Sequence, residues 1–296
     1  MKAVMNEKIS HIENVIKKYL PEEKGYAKTV CEAMNYSVNA GGKRLRPMLM
    51  EETYHLFGGK DECIEPFMAA IEMIHTYSLV HDDLPCMDND EYRRGRKTTH
   101  VVYGEGMAVL AGDALLNYAV ETACKAFALH DDAKAVGNAI TVLMKKSGIY
   151  GMIGGQTADI LAENMDKDEI TEELLLFIHE NKTAALIQNA MMIGAILAGA
   201  KEEDVNIVEK IGYNIGIAFQ IQDDILDVTG SFEELGKPIG SDEKNNKVTY
   251  VSLKGLEQAK EDVAKLSKQA VEMLDSLPGK NEFLKELILY LIHRNN

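Results

Sequence analysis

Pro66-Phe67-Met68-Ala69-Ala70-Ile71-Glu72-Met73-Ile74-His75-Thr76-Tyr77-Ser78-Leu79-Val80-His81-Asp82-Asp83 is apolar nearly all round when wound as a helix, and it ends in carboxylates. A helix with so little polar surface belongs in the middle of a helical protein. Its end opens the run Asp82-Asp83-Leu84-Pro85-Cys86-Met87-Asp88. A second apolar helix, expected over about 204–228, ends on Asp223-Asp224-Ile225-Leu226-Asp227. Adjacent carboxylates repel one another unless cations hold them together. Two such clusters therefore point to Mg²⁺, which takes oxygen ligands and combines a few carboxylates with phosphate oxygens. Either run alone would read as a solvated helix end; the duplication and the apolar lead-ins argue against that.

Outward from these two helices the chain continues to read as helical. Apolar positions at helical spacing predict further segments at about 5–20, 22–39, 47–57, 107–128, 132–150, 172–199, 249–276 and 280–293. Pro21 stops the first, Gly41-Gly42 ends the second and Gly58-Gly59 the third. Residues 230–247, rich in Gly, Ser, Asn, Asp and Lys, read as a long loop or short-helix segment of the kind that serves as a lid. No alternating strand pattern with hairpin turns, no linker and no low-complexity tract is evident. The expectation is one all-α domain over residues 1–296.

Composition narrows the function. The 296 residues are 46% hydrophobic and 27% charged, the balance of a globular protein with a sizeable core. A formal charge of -15 argues against nucleic acid as partner, since phosphate backbones attract basic surfaces. Cys31, Cys63, Cys86 and Cys124 form no CxxC pair and read as reduced thiols. The N-terminus lacks the apolar core of a signal peptide, and no span reaches the roughly 18 apolar residues of a transmembrane helix. A cytoplasmic protein without membrane insertion is expected.

Residues three, four and seven apart share a helix face, so Gln220, Asp223, Asp224 and Asp227 are expected to project into one space. His75, Ser78 and Asp82 form a similar stripe. Asp88, six residues beyond Asp82, is off that face in a continuous helix. Pro85 breaks the helix and can bring Asp88 back toward Asp82. Directly after comes Asp90-Glu91-Tyr92-Arg93-Arg94-Gly95-Arg96-Lys97. Beside a metal-binding acidic run, such guanidinium groups can hold a diphosphate, each Arg acting as a bidentate fork.

Taken together, these residues resemble the trans-isoprenyl diphosphate synthases, and within them the bacterial farnesyl diphosphate synthases. The resemblance runs through Gly41-Gly42-Lys43-Arg44-Leu45-Arg46-Pro47, His75-Thr76-Tyr77-Ser78-Leu79-Val80-His81-Asp82-Asp83, Met87-Asp88-Asn89-Asp90 and Arg93-Arg94-Gly95. It continues through Ala111-Gly112-Asp113-Ala114-Leu115-Leu116, Gly154-Gly155-Gln156, Lys182-Thr183, Phe219 to Asp227 and Leu235-Gly236-Lys237. One DDxxD would be a weak signal; the ordered set is specific. The departures are Arg96-Lys97-Thr98-Thr99, where the family commonly has Lys-Pro-Thr, and the polar segment Asp242 to Asn246.

The resemblance implies a bundle of about ten or more mostly antiparallel helices around a central cavity, acting as a homodimer. It implies that Lys43, Arg46, His75 and Arg94 hold the diphosphate of isopentenyl diphosphate. Arg93, Lys182 and Lys237, with Thr183 and Gln220, would hold the allylic diphosphate, and Lys247 would be a late contact over the leaving group. Asp82, Asp88 and Asp223 would be the principal Mg²⁺ ligands, supported by Asp83, Asp224 and Asp227. About three Mg²⁺ ions per site are implied, with Mn²⁺ as a substitute. Catalysis is then expected to rest on Asp82, Asp83, Asp88, Arg93, Lys182, Asp223, Asp224 and Lys237, which neutralise the leaving diphosphate.

Product length is read from Tyr77 and the adjacent Ser78. Tyr77 precedes Asp82 by five residues, about 7.5 Å along a helix, so its ring can floor the space for a growing tail. An aromatic residue there resembles the C15 pattern; geranylgeranyl synthases of related pattern usually carry a smaller or more flexible one. The expectation is farnesyl diphosphate, with a C20 or C10 product of the same family as the alternative. Three rival readings are a terpene cyclase, a metal-dependent hydrolase built on His81-Asp82, and a non-catalytic synthase subunit. The second basic cluster counts against the first, the lack of evident partner histidines against the second and the intact acidic runs against the third.

Overall fold

The structure is a computed structural model describing residues 2–229 and 248–292. The elements in chain order are α1 (Lys2–Tyr19), α2 (Lys28–Val38), α3 (Leu45–Leu56), α4 (Glu65–Asp82), a hairpin of β1 (Tyr92–Arg93) and β2 (Arg96–Lys97), α5 (Thr99–Tyr103), α6 (Glu105–Cys124) and α7 (Ala133–Ser147). There follow α8 (Met152–Ala162), α9 (Glu172–Ile178), a π-helical turn His179–Ala184, α10 (Ala185–Leu197), α11 (Glu202–Thr229), α12 (Tyr250–Lys254), α13 (Leu256–Ser276) and α14 (Glu282–Ile292). The all-α expectation holds. The chain divides into two compact units, Met1–Glu51 with Lys60–Ile140 and Glu52–Gly59 with Thr141–Asn296.

The first unit is organised around α4. Pro66 sits in its first turn, where no intrahelical N–H is needed. Phe67, Met68, Ile71, Met73 and Ile74 are fully buried, each stabilising the fold by about 1.5–3 kcal/mol. α6 packs along α4, and α1 and α2 also pack against it. Gly112 on α6 leaves room for the His81 ring, since a Cβ there would lie 2.0 Å from His81 Nε2.

In the second unit α11 packs against α10, α13 and the π turn. Two glycines bring these backbones together. A Cβ on Gly212 would meet Gln188 Cα at 2.7 Å, and one on Gly216 would meet Ala184 Cβ at 2.2 Å.

Several elements differ from expectation. The hairpin was not anticipated: its two-residue turn has φ 53 at Arg94 and φ 74 at Gly95, the type I′ geometry usually announced by Asn-Gly. α8 was not expected either. The single segment expected at 172–199 is interrupted by the π turn, and the one at 249–276 by Gly255 at φ 82. α3 starts two residues early, at Leu45, with Pro47 tolerated in its first turn.

A sequence echo between the units becomes clear at this level. After each acidic helix comes a five-residue helix led by a threonine, Thr98 before α5 and Thr249 before α12. Each ends on a glycine of nearly the same backbone, Gly104 at φ 85, ψ 157 and Gly255 at φ 82, ψ 156, before a long helix. Among the described residues no helix is long and apolar enough to cross a membrane.

Gly216→Ala is expected to force α11 away from the π turn and to destabilise the protein by about 1–3 kcal/mol, read as a lower denaturation midpoint. An unchanged midpoint would mean that this contact can relax.

Candidate active site

Where α4 ends, the chain turns back on itself. Leu84 N–H donates to His81 C=O at 3.1 Å, and Pro85 cannot extend the helix. Asp88 N–H then donates to Asp82 C=O at 2.8 Å, so the backbone returns Asp88 to Asp82 as its spacing around Pro85 suggested. Asn89 accommodates the turn at φ 54.

Asp83 behaves differently from its neighbour. It is 3% exposed, and its Oδ1 accepts both Arg93 Nε and Arg93 Nη2 at 2.7 Å. Burial pushes its carboxyl up, against the pull of Arg93. Asp83 thus anchors Arg93, which also lies 3.6 Å from Asp90.

Around His75 the structure gathers cations. Arg44 is buried and ion-paired with Glu72 at 2.6 Å, and it donates to Val38 C=O at 2.8 Å. Arg94 donates to Gly41 C=O and lies over Gly42, where a Cβ would come within 2.6 Å of Arg94 Nη1. The positive φ of Gly42, 134, accounts for the glycine there. Arg46 carries a buried Nε with no partner; burial lowers its pKa, Glu72 opposes that, and Arg94 adds to it. Burial, followed by Arg46, Arg94, Arg93 and Arg44, holds His75 well below its ordinary value of 6.5. The imidazole is therefore neutral in a cationic field. Among the described residues the non-glycine positions with positive φ are Arg44, Asn89 and Arg94, all in this region. Such conformations cost about 1–3 kcal/mol each and persist only where the surroundings impose them. Lys43 is exposed on the same loop, and Ser78 is half-buried, its hydroxyl donating to His75 C=O at 2.9 Å.

The second acidic run is in the second unit. Asp224 is 8% exposed and accepts the Tyr250 N–H, at the start of α12, at 2.7 Å. Asp223 and Asp227 are half-buried, and Gln220 accepts the Thr183 hydroxyl at 2.5 Å. The single expected stripe is therefore split, with Asp224 committed to α12. Lys182 pairs with Asp159, a buried residue of α8 that sequence reading passed over. Its signal was present three residues after Gln156, on the same helix face. Asp159, Lys182, Thr183, Gln220, Asp224 and Thr249 line one pocket of this unit. Lys237 and Lys247 lie outside the described residues.

The donor set suits Mg²⁺. Asp82 with Asp88, and Asp223 with Asp227, offer pairs of hard oxygen ligands, as suits an ion that keeps water and phosphate oxygens alongside one or two carboxylates. Among the described residues no three His, Cys, Asp or Glu side chains are grouped closely enough to hold an ion. Asp83 and Asp224, expected to support the principal ligands, each accept hydrogen bonds through one carboxylate oxygen, from Arg93 and from the Tyr250 N–H.

A family model for polyprenyl synthetases matches residues 27–288. Over 288 residues the chain is 42% identical to a geranylgeranyl diphosphate synthase of Cyanophora paradoxa, covering 96% of this chain and 93% of that one. It is 45% identical over 269 residues to a chloroplastic geranylgeranyl pyrophosphate synthase of Catharanthus roseus, covering 90% and 74%. A crystal structure of a Helicobacter pylori geranyltransferase, complexed with magnesium and isoprenyl diphosphate, aligns with TM-score 0.81 at 33% identity, covering 98% and 95%.

Two outcomes are expected from this geometry. Since the folded pKa of His75 is below its unfolded value, the unfolded chain binds a proton that the folded chain refuses, and stability falls as pH drops below about 6.5. Denaturant titrations at pH 5.5 and 7.5 should show a smaller loss for His75→Gln than for wild type; an equal loss would place the acid sensitivity elsewhere. Asp224→Asn keeps an acceptor for Tyr250 N–H, whereas Asp224→Ala does not. Amide exchange at 249–254 in metal-free protein should rise by about tenfold or more in the Ala variant and much less in the Asn variant. Equal exchange in both would remove the anchoring role.

Proposed function

Because this chain belongs to the polyprenyl synthetase family, we propose that it condenses isopentenyl diphosphate with an allylic diphosphate and that its end product is geranylgeranyl diphosphate. The observation that carries the reaction is the cationic cluster around a neutral His75, next to the Asp82–Asp88 turn. Such a cluster favours a multiply charged anion, and three positive-φ positions are maintained to build its surroundings.

Lys43, Arg46, His75 and Arg94 are the residues proposed to hold isopentenyl diphosphate; Arg93, Lys182, Thr183 and Gln220 are proposed for the allylic diphosphate, with Lys237 and Lys247 as further contacts. The allylic C–O bond breaks and diphosphate leaves. The double bond of isopentenyl diphosphate then forms a C–C bond at the allylic carbon, and a proton is lost to restore a double bond. The released diphosphate is the proposed base. When bound at Asp82, Asp88, Asp223 and Asp227, Mg²⁺ would supply charge neutralisation for the departing diphosphate. The protein's own part is to fix both diphosphates by their cationic contacts and to keep water from the reacting carbons.

The two units are read as one synthetase domain, since the family model runs through 27–288. Pairing of two copies is supported by Val101, Val102, Val109 and Leu110, exposed by 39–54% along α5 and the start of α6.

The C20 product is supported by the names of the relatives from Cyanophora and Catharanthus. Tyr77 favours the C15 reading made from sequence. Its ring is 6% exposed and edge-on to His81 at 5.8 Å, and its hydroxyl has no partner. Burial, with a contribution from Asp82, pushes that hydroxyl up to about 12, so it is uncharged at any working pH. Incubation with Mg²⁺, isopentenyl diphosphate and geranyl diphosphate, followed by dephosphorylation and sizing, is expected to give a C20 alcohol. A C15 alcohol that lengthens in Tyr77→Ala would make Tyr77 the floor and displace the C20 reading. Absence of any condensation would overturn both.

A further inference from the structure

We propose that Asp159 is a positioning residue for the allylic diphosphate, acting by holding the Lys182 ammonium at the mouth of the pocket it shares with Thr183 and Gln220. The inference rests on the function proposed above and adds to it a residue on α8, an element not expected from the sequence.

The pair is asymmetric. The side chain of Asp159 is 7% exposed and that of Lys182 is 32% exposed. A carboxylate buried to that degree has to be paired. The ammonium keeps contact with solvent and has three donors, so it can hold Asp159 and still offer donors to a second anion. A free lysine would lose rotamer freedom on gripping a phosphate; one already tethered has lost much of it beforehand.

Aspartate has the shorter of the two carboxylate side chains, so the tether requires α8 to come very near the π turn. Gly155, one helical turn before Asp159, provides that approach: a Cβ there would lie 2.1 Å from Lys182 N. Gly155 and Asp159 therefore address the same residue, one at its backbone and the other at its head group. The π turn His179–Ala184, an irregularity frequent at functional sites, spans the residues so held. Thr183 follows directly and donates to Gln220, so consecutive residues of the turn are fixed from α8 and from α11.

The test uses the full-length Mg²⁺-loaded protein as wild type, Asp159→Asn, Lys182→Met and the double variant. Steady-state constants are measured for geranyl diphosphate and for isopentenyl diphosphate, with circular dichroism for folding. Asp159→Asn should raise KM for geranyl diphosphate by about tenfold or more while KM for isopentenyl diphosphate stays within about twofold. The double variant should be no worse toward geranyl diphosphate than Lys182→Met, because Asp159 acts through Lys182. Equal rises for both substrates, no rise, or effects that multiply in the double variant would each overturn the inference. If Asp159→Asn does not fold, Asp159→Glu takes its place: it keeps the charge but displaces it, and the same selective rise is expected, with no selective rise counting against the inference. A wild type that does not join the two substrates overturns the proposed function itself, a failure visible before any variant is compared.

Discussion

Like charges held close together are the constraint on which the first unit depends. Arg44, Arg46, Arg93 and Arg94 all act on one imidazole, His75. Such a grouping is costly unless counter-charges and hydrogen bonds hold its members in place, and three of the four guanidinium groups are so held. Glu72 fixes Arg44, Asp83 fixes Arg93 and the Gly41 carbonyl fixes Arg94. Features that look incidental in the sequence follow from that. Glu72 and His75 interrupt an otherwise apolar α4 because they face this cluster, and Gly42 beside Arg94 holds a positive φ that other residues rarely adopt.

The second unit solves the complementary problem, that of buried negative charge. Asp159 is matched to Lys182 and Asp224 to the N–H of Tyr250. A common division of labour emerges in the two acidic runs. The second carboxylate of each Asp-Asp pair ties its helix to a later part of the chain, Asp83 to Arg93 and Asp224 to the N–H of Tyr250.

The acidic helices were legible because their apolar lead-ins and charged ends depend on local composition alone. The return of Asp88 was legible because Pro85 has one steric consequence wherever it occurs. α8 was not, since Gly151, Gly154 and Gly155 weaken any helical reading; a Cβ at each would collide with nearby backbone, Gly155 with that of Lys182. The hairpin was hidden because Arg94 occupies a left-handed position that its own chemistry does not favour. The partners of Asp83 and Asp224 lie 10 and 26 residues away, distances over which no periodicity speaks. Helical wheels group the acids by face and carry no information on these distant partners.

His75 is kept neutral by burial and by the cationic field of the arginines around it. The direct test is an NMR titration of the His75 imidazole in the intact protein, with and without inorganic diphosphate. The expected result is a midpoint well below 6.5 in the free protein and an upward shift when diphosphate screens the surrounding guanidinium groups. An imidazole that titrates near 6.5 in the free protein, or one whose midpoint ignores diphosphate, would contradict it.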